Sequence, residues 1–523
     1  MKLTVTVLDT TGIQSYIFGS NRLRENIGAS YLVGQVTDAW VRQILNQKFK
    51  ITNPEASIKT QDAELVYAGG GNTVLLFQSA DLAIDFTKKL SLKVLKEAPG
   101  INLVVAHRHD FEWDQDQLYD IVQEMMKDDL DVKKRSRIPS SPLLGLGVTQ
   151  DCNSTRLVAV DQRKNHSSPA DYPVSREIVA KLDAVKLANT QLQQTLHLPD
   201  GWDIPLDFDA FGRSRDEMSY LAVVHIDGNS MGKRFQGFAE GKNDKDYITA
   251  MRDLSQSVEK AGKAVLQQLT QELIANWDTL QEKLDLTTQQ LPFRPLVYGG
   301  DDITFVCDGR LGLTLAVRAL QLFETQPIAD GKPLTACAGV CIVKAHYPFA
   351  RAYELSEALC RSAKKVAKRD RSGGERLEPA SAIDWHIVAS GLLGDLAEIR
   401  EREYRIQDNK HLKHLEMRPL LLHADPGDWQ NWANFEAIIK AFTGEDWKEK
   451  RNKVMALREV LRRGSAATKE FLTAYQREAL PPMPGSDRRL KSPLAEQGWL
   501  DNTCGYFDAI EAMDFYIPLE VSQ

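Results

Sequence analysis

Apolar positions alternate through LTVTVLD at the start of the chain, which predicts a strand ending at Asp9. A glycine-containing turn follows, then helical spacing from about Gln14 to Gln47. ELVYAGGGNTVLLF (64–77) reads as two strands joined by a tight turn, with Gly69–Gly71 supplying the positive φ that a hairpin needs. LAIDFTKKLSLKVLK (82–96) is helical, INLVVAHRH (101–109) a strand and QLYDIVQEMMKDDL (117–130) a helix. KKRSRIPSSPLLGLG (133–147) is basic, then rich in Pro, Ser and Gly, and marks a boundary. A polar connector, helical from about Ser175 to Thr195, runs on to residue 215.

The pattern then recurs. SYLAVVHID (219–227) is a strand ending in an aspartate, and helices over 249–286 carry the apolar stripe Val258, Ala261, Val265, Leu269. RPLVYGGDDITFVCD (294–308) is strand, glycine turn, strand; helix 311–326, strand 333–345 and helix 350–369 follow. Both copies run strand, helices, hairpin, helix, strand, helix, and they align Asp9 with Asp227 and Gly69-Gly70 with Gly299-Gly300. This order predicts antiparallel sheets backed by helices, an α+β architecture. From about residue 395 the strand pattern is lost, and a mostly helical final part is expected. The divisions are a first unit at 1–132, a connector at 133–215, a second unit at 216–394 and a helical C-terminal unit at 395–523.

Composition narrows the classes. The 523 residues have a net charge of −7, with 43% hydrophobic and 26% charged residues, ordinary for a globular protein. Phosphate binding must then come from local basic patches. No stretch reaches the ~18 apolar residues of a membrane span, and the start lacks the apolar core of a signal peptide, so a cytoplasmic protein is expected. The six cysteines form no CxxC pair, which favours free thiols over a zinc site.

The segment VYGGDDITFV (297–306) carries the chemistry. Gly299 and Gly300 at a hairpin tip bring bare backbone to a ligand. Asp301 and Asp302 follow, on different sides of the outgoing strand, and Asp227 ends the neighbouring strand at the same edge. Three converging carboxylates call for cations. Two Mg²⁺ or Mn²⁺ ions held by Asp227, Asp301 and Asp302 would suit nucleotidyl transfer on a nucleoside triphosphate. DGNSMGK (227–233) places Gly228, Asn229, Ser230, Gly232 and Lys233 where backbone N–H groups can cradle phosphates at a helix start. Lys364 and Lys368 share one face of the helix ending RSAKKVAKRDR. Blander roles stand beside these. The lysine run is a solvated helix face, Cys307, Cys337 and Cys341 are core residues, His225 is a packed or substrate-facing side chain rather than a metal ligand, and Asn229 caps the next helix. The first copy reads GGGN at 69–72, with Asp9 as its lone surviving carboxylate, and is expected to be catalytically silent.

DTTGIQSYIFGSNRLRENIGASYLV, HIDGNSMGKRF, YGGDD and ACAGVCIVKAHYPFARAYELSEALCRSAKK together resemble the palm-domain polymerase/cyclase subunit of type III CRISPR effector complexes, the Csm/Cmr large subunit. The likeness covers roughly residues 1–390. It implies two ferredoxin-like palm domains of the nucleotidyl cyclase (GGDEF-like) kind, with a helical C-terminal domain. It implies conversion of ATP to cyclic oligoadenylate by the GGDD palm, with Asp301, Asp302 and Asp227 as metal carboxylates and Lys364 near the triphosphate. The implied partners are CRISPR RNA, target RNA and other effector subunits. Asn229 stands where the family often has a second Asp. No HD nuclease pair opens the chain, and the four-cysteine zinc site between the palms is reduced to Cys152, so neither DNase activity nor that zinc is expected. Two other readings remain open: an RNA-binding scaffold subunit with minor or lost catalysis, favoured by the KKRSR and KKVAKRDR patches, and a stand-alone mono- or dinucleotide cyclase.

Overall fold

The computed structural model describes the chain except residues 70, 137–144, 167–169, 212–218, 371–372, 389–393, 409–410, 424–427, 445–446, 448–449, 484–487 and 521–523, and gives only the backbone of 488–492. Strand β1 (Lys2–Thr11) sends Leu3, Val5 and Val7 into one core and Leu8 into another, so both of its faces are covered. Helices α1 (Ile13–Phe18), α2 (Leu23–Gly34) and α3 (Trp40–Phe49) follow, the last two joined by a π-helical turn at Gln35–Ala39. The hairpin β2 (Ala63–Gly69) and β3 (Asn72–Phe77) leads to α4 (Ala80–Glu97) and β4 (Asn102–Glu112). Helices α5 (Leu118–Glu124) and α6 (Leu130–Ser136) run on through a second π turn, Met125–Asp129. The sheet order is β2-β3-β1-β4.

The connector holds a small hairpin, β5 (Asp161–Arg163) with β6 (Tyr172–Val174), and helix α7 (Arg176–Thr195). Helix α7 lies against α2 at Gly28, where a Cβ would sit 1.7 Å from the Lys181 carbonyl oxygen.

The second unit comprises β7 (Tyr220–Gly228), α8 (Met231–Ala239), α9 (Asp244–Ala275), α10 (Trp277–Leu284), β8 (Phe293–Tyr298), β9 (Asp302–Asp308), α11 (Gly312–Glu324), β10 (Ala336–Lys344) and α12 (Phe349–Ala367). Its strands β8-β9-β7-β10 repeat the order of the first sheet, confirming the duplicated α+β architecture. The equivalence extends to register: Asp9 lies opposite Asn72 as Asp227 lies opposite Asp302.

Two additions were not anticipated. β11 (Ala382–Ile387) pairs parallel to β10, and Leu420–Leu421 extends the sheet beyond it. β11 is buried along its whole length, so it shows no alternation from which to recognise a strand. The C-terminal part is mostly helical but also holds a four-stranded sheet of Arg405–Asp408, His411–His414, Thr503–Cys504 and Trp499–Leu500. Strands of two to four residues are too short to carry a period. Among the described residues no helix is long and apolar enough to cross a membrane, and all six cysteines are buried free thiols.

Glycine lets helices onto both faces of the second sheet. A Cβ on Gly339 of β10 would lie 1.9 Å from the Ser356 carbonyl oxygen of α12, and one on Gly312 of α11 would lie 2.4 Å from Cβ of Ala222 on the opposite face. Gly339→Ala is therefore expected to destabilise the protein by about 1–3 kcal/mol through overpacking, read as a lower urea midpoint. An unchanged midpoint would contradict that packing.

Helix α9, 32 residues long, belongs to both halves. Tyr247, Ile248 and Met251 lie in the first core, while Leu254, Val258, Ala261 and Val265 lie in the second. The C-terminal part closes over β11 through Arg418. Its guanidinium is fully buried, 3.1 Å from Asp508 and 3.2 Å from Glu511, and sits over the rings of Tyr404 and Trp385.

Candidate active site

The GGDD turn is built by close backbone approach. Gly300 has φ +149°, a conformation that side chains rarely allow, and its carbonyl oxygen lies against α9 at Gly262, where a Cβ would be 2.4 Å away. The Asp301 carbonyl accepts a hydrogen bond from the Gly228 amide at 3.1 Å, tying the hairpin to the end of β7. Gly228 must be bare, because a Cβ there would come within 2.7 Å of the Asp301 Cβ and 2.9 Å of its Oδ2. The Asp301 side chain thus lies over Gly228, beside Met231 at the start of α8. Asp302 opens β9 directly opposite Asp227, and His225 lies opposite Thr304 two residues along. Side chains alternate along a strand, so these four share the face covered by α12.

Lys364 of α12 places Nζ 2.7 Å from Asp227 Oδ2 and donates to the Gly228 carbonyl at 3.0 Å. His225 sets Nδ1 3.1 Å from Thr304 Oγ1 and 3.5 Å from Asp302 Oδ1, with its ring edge-on to Tyr353. Burial lowers the pKa of His225, so its ring is neutral at pH 7. The cleft walls, and then the charges of Asp227 and Asp301, push the Asp302 carboxyl up to about 8, while 53% of its side chain still faces the open cleft. Asp301 is raised for the same reasons. Three carboxyl groups thus gather near the Lys364 ammonium, and their mutual repulsion, which adds to burial in raising Asp301 and Asp302, is what a divalent cation would relieve.

The expected residues Asp227, Asp301, Asp302, Gly228, Gly299, Gly300 and Lys364 are brought to this edge. Among the described residues the three carboxylates are not drawn together into a ready metal cage. Asp227 is engaged by Lys364, and Asp301 sits over Gly228, off the α12 face that carries Asp302. Asn229 neither caps a helix nor faces the cleft. It is buried, donates to Thr335 Oγ1 at 3.2 Å and to the Ala380 carbonyl at 3.0 Å, and accepts from the Cys337 thiol. Ser230 takes the left-handed N-cap position of α8 without a side-chain cap bond, and Gly232 and Lys233 are exposed on the first turn of that helix.

Other residues escaped the sequence reading. Arg234, one helical turn after Ser230, forms a bidentate pair with Asp330 at 2.7 and 2.8 Å and lowers the Asp301 pKa from nearby. Its i, i+4 offset from Ser230 was visible, but Asp330 lies 96 residues away in sequence. The facing wall comes from the first unit: Phe18 of α1 stacks on Tyr353 at 3.8 Å, and Gln14 donates to Glu357 at 3.3 Å. In the first copy Asp9 is not alone, for Lys134 of α6 pairs with it as Lys364 pairs with Asp227. Lys134 lies 16 residues after Leu118 and Lys364 lies 15 after Phe349, and the π turn in the first helix takes up the extra residue. Gly70 lies outside the described residues.

Comparison with known proteins agrees with this geometry. Residues 220–373 match the family model for Cas10/Cmr2, second palm domain. No curated protein sequence matches the chain. The Csm1–Csm4 cassette solved in complex with cA4 is similar over 98% of this chain and 70% of that one, at 14% identity and a TM-score of 0.55. Csm1 from T. onnurineus gives 14% identity and a TM-score of 0.55 over 98% of this chain and 69% of that one. The Csm1–Csm4 subcomplex of the type III-A CRISPR-Csm interference complex gives 15% and 0.53 over 98% and 70%. With its duplicated sheet and glycine-tipped acidic hairpin, the chain has the fold of Csm1, and its residues 220–373 form a second palm domain of the Cas10/Cmr2 type.

Proposed function

We propose that this chain is the nucleotidyl cyclase of a type III CRISPR effector, joining ATP into cyclic oligoadenylate with release of pyrophosphate. The observation that carries the reading is the pair Asp227 and Asp302, directly opposed at a bare-backbone edge, with Asp301 beside them and Lys364 as the local cation. The donor set fits Mg²⁺ or Mn²⁺, which take few protein carboxylates and complete their shells with phosphate oxygens. Such ions, when bound, activate a ribose hydroxyl and neutralise the departing pyrophosphate. The chain's own residues do the rest. Asp227, Asp301 and Asp302 hold the positive charge at the cleft edge. Lys364, resting on Asp227 and on the Gly228 carbonyl, is within reach of a triphosphate and exchanges its carboxylate for phosphate oxygens. Gly299 and Gly300 leave room for the nucleotide, and Gly232 and Lys233 lie at the start of α8. The ring of His225, neutral and anchored on Thr304, orients Asp302.

Adenine as the base is supported by the solved Csm1–Csm4 cassettes, which hold cA4, cA3, AMPPNP and related oligoadenylates. They also suggest a Csm4-type subunit as partner, and the sequence resemblance adds CRISPR RNA and target RNA. The scaffold reading loses part of its basis, since Lys134 of the KKRSR patch pairs with Asp9 and Lys133 donates to the Val105 carbonyl, both within the fold.

Purified protein incubated with each nucleoside triphosphate and Mg²⁺ or Mn²⁺, with and without bound RNA, is expected to release pyrophosphate and yield cyclic oligoadenylate by mass. The absence of any metal-dependent product from all four nucleotides, with RNA or without, would overturn the proposal.

A further inference from the structure

Helix α9 touches both glycine hairpins. Near its start Arg252 donates from Nη2 to the Leu65 carbonyl at 2.5 Å and from Nε to the Val66 carbonyl at 3.1 Å, and it pairs with Glu64 at 2.9 Å. These carbonyls lie at the irregularity of β2 between Leu65 and Tyr67, where the ladder to β3 shifts. One turn on, Ser255 meets the tip of that hairpin: its Oγ is 3.5 Å from the Ala68 carbonyl oxygen, and a Cβ on Gly69 would come within 2.8 Å of it. Two turns further, Gly262 meets the tip of the other hairpin, with the Gly300 carbonyl oxygen 2.4 Å from where its Cβ would stand. Ser255 and Gly262 are seven residues apart, so they share one helix face about 10 Å apart along the axis.

We infer that α9 sets the position of the GGDD turn relative to the first hairpin, with Gly262 as the positioning residue. The inference rests on the proposed reading of Asp227, Asp301 and Asp302 as the catalytic carboxylates. Glycine is a poor helix former, and its place in the middle of a 32-residue helix is explained by this approach of backbone to backbone. Both ends of the relevant segment are locked in close-packed cores, Tyr247 and Met251 in one and Val258 and Val265 in the other. A displacement at the first hairpin is therefore passed on by the helix instead of being absorbed. Gly300 is bonded directly to Asp301, so the carboxylates move with the turn. Sub-ångström placement of such groups governs turnover.

The test uses the full chain with Gly262→Ala and Arg252→Gln. Hydrogen exchange over residues 297–303 is followed by mass spectrometry, and kcat and KM for ATP are measured in parallel. Gly262→Ala is expected to lower kcat about tenfold with KM for ATP held within twofold, and to speed exchange in the turn by more than any fall in the urea midpoint accounts for. Arg252→Gln, which touches only the first hairpin, is expected to speed exchange in the same turn and lower kcat about threefold. The double variant should lose less than the product of the two, because both act through one element. Gly262→Ala with kcat within twofold of wild type and unchanged turn exchange would overturn the positioning role. Unchanged exchange at 297–303 in Arg252→Gln would overturn the transmission, and this arm decides the question if Gly262→Ala fails to fold. A wild-type protein that forms no nucleotide product would remove the catalytic reading alone, since the exchange data still decide the coupling.

Discussion

Replacing Asp302 with alanine is expected to cut metal-dependent nucleotide turnover by about 10²–10³-fold or more, the scale for removing one preorganised electrostatic group, while the melting temperature stays level or rises. The two outcomes have one cause. Asp302 is held against the charges of Asp227 and Asp301 in a cleft that already pushes its carboxyl up to about 8. Without a bound cation its charge is a liability, so its removal relieves repulsion. In the proposed reaction the same charge would hold the cations. Asp301→Ala should lose turnover similarly but not gain stability, because its side chain also packs over Gly228. Turnover by mass-resolved product and melting by calorimetry check both halves. Full activity in Asp302→Ala would remove the GGDD turn from the reaction.

Arg418→Ala is expected to cost about 3–5 kcal/mol at pH 8, as breaking a buried ion pair does, and distinctly less at pH 5. Arg418 is fully buried between Asp508 and Glu511, a charge contact more than an aligned hydrogen bond to Asp508 Oδ1. The other Asp508 oxygen accepts from the Met417 and Arg418 amides at 2.8 and 3.0 Å. Burial pushes Asp508 up to about 7 even with Arg418 opposing it, and loss of the guanidinium raises it further. A carboxyl raised in the folded state loses stability as pH climbs from its unfolded value, near 4, to its folded one. The damage is thus greatest above pH 7 and shrinks as acid protonates Asp508. Urea unfolding of wild type and variant at the two pH values measures it, and a loss equal at both would contradict the assignment.

What could be read along the chain was local. Alternation and glycine tips gave both hairpins, their duplication and the pairing of Asp9 with Asp227 in the alignment, because strand period and turn chemistry depend on neighbouring residues. The same reasoning placed Asp301 and Asp302 on different sides. It missed β11, whose two covered faces erase the alternation, and it gave Asn229 an outward role that burial beside Thr335, Cys337 and Ala380 rules out.

Contacts between distant segments were decided by packing. Lys134 on Asp9, Gly262 under Gly300, Arg234 on Asp330 and the α1 wall at Tyr353 each join residues whose separation leaves no trace in any local period. The acidic hairpin was legible because a turn is a property of four adjacent residues. Its electrostatic state was not, because the field at Asp302 is the sum over groups that only folding brings within a few ångströms.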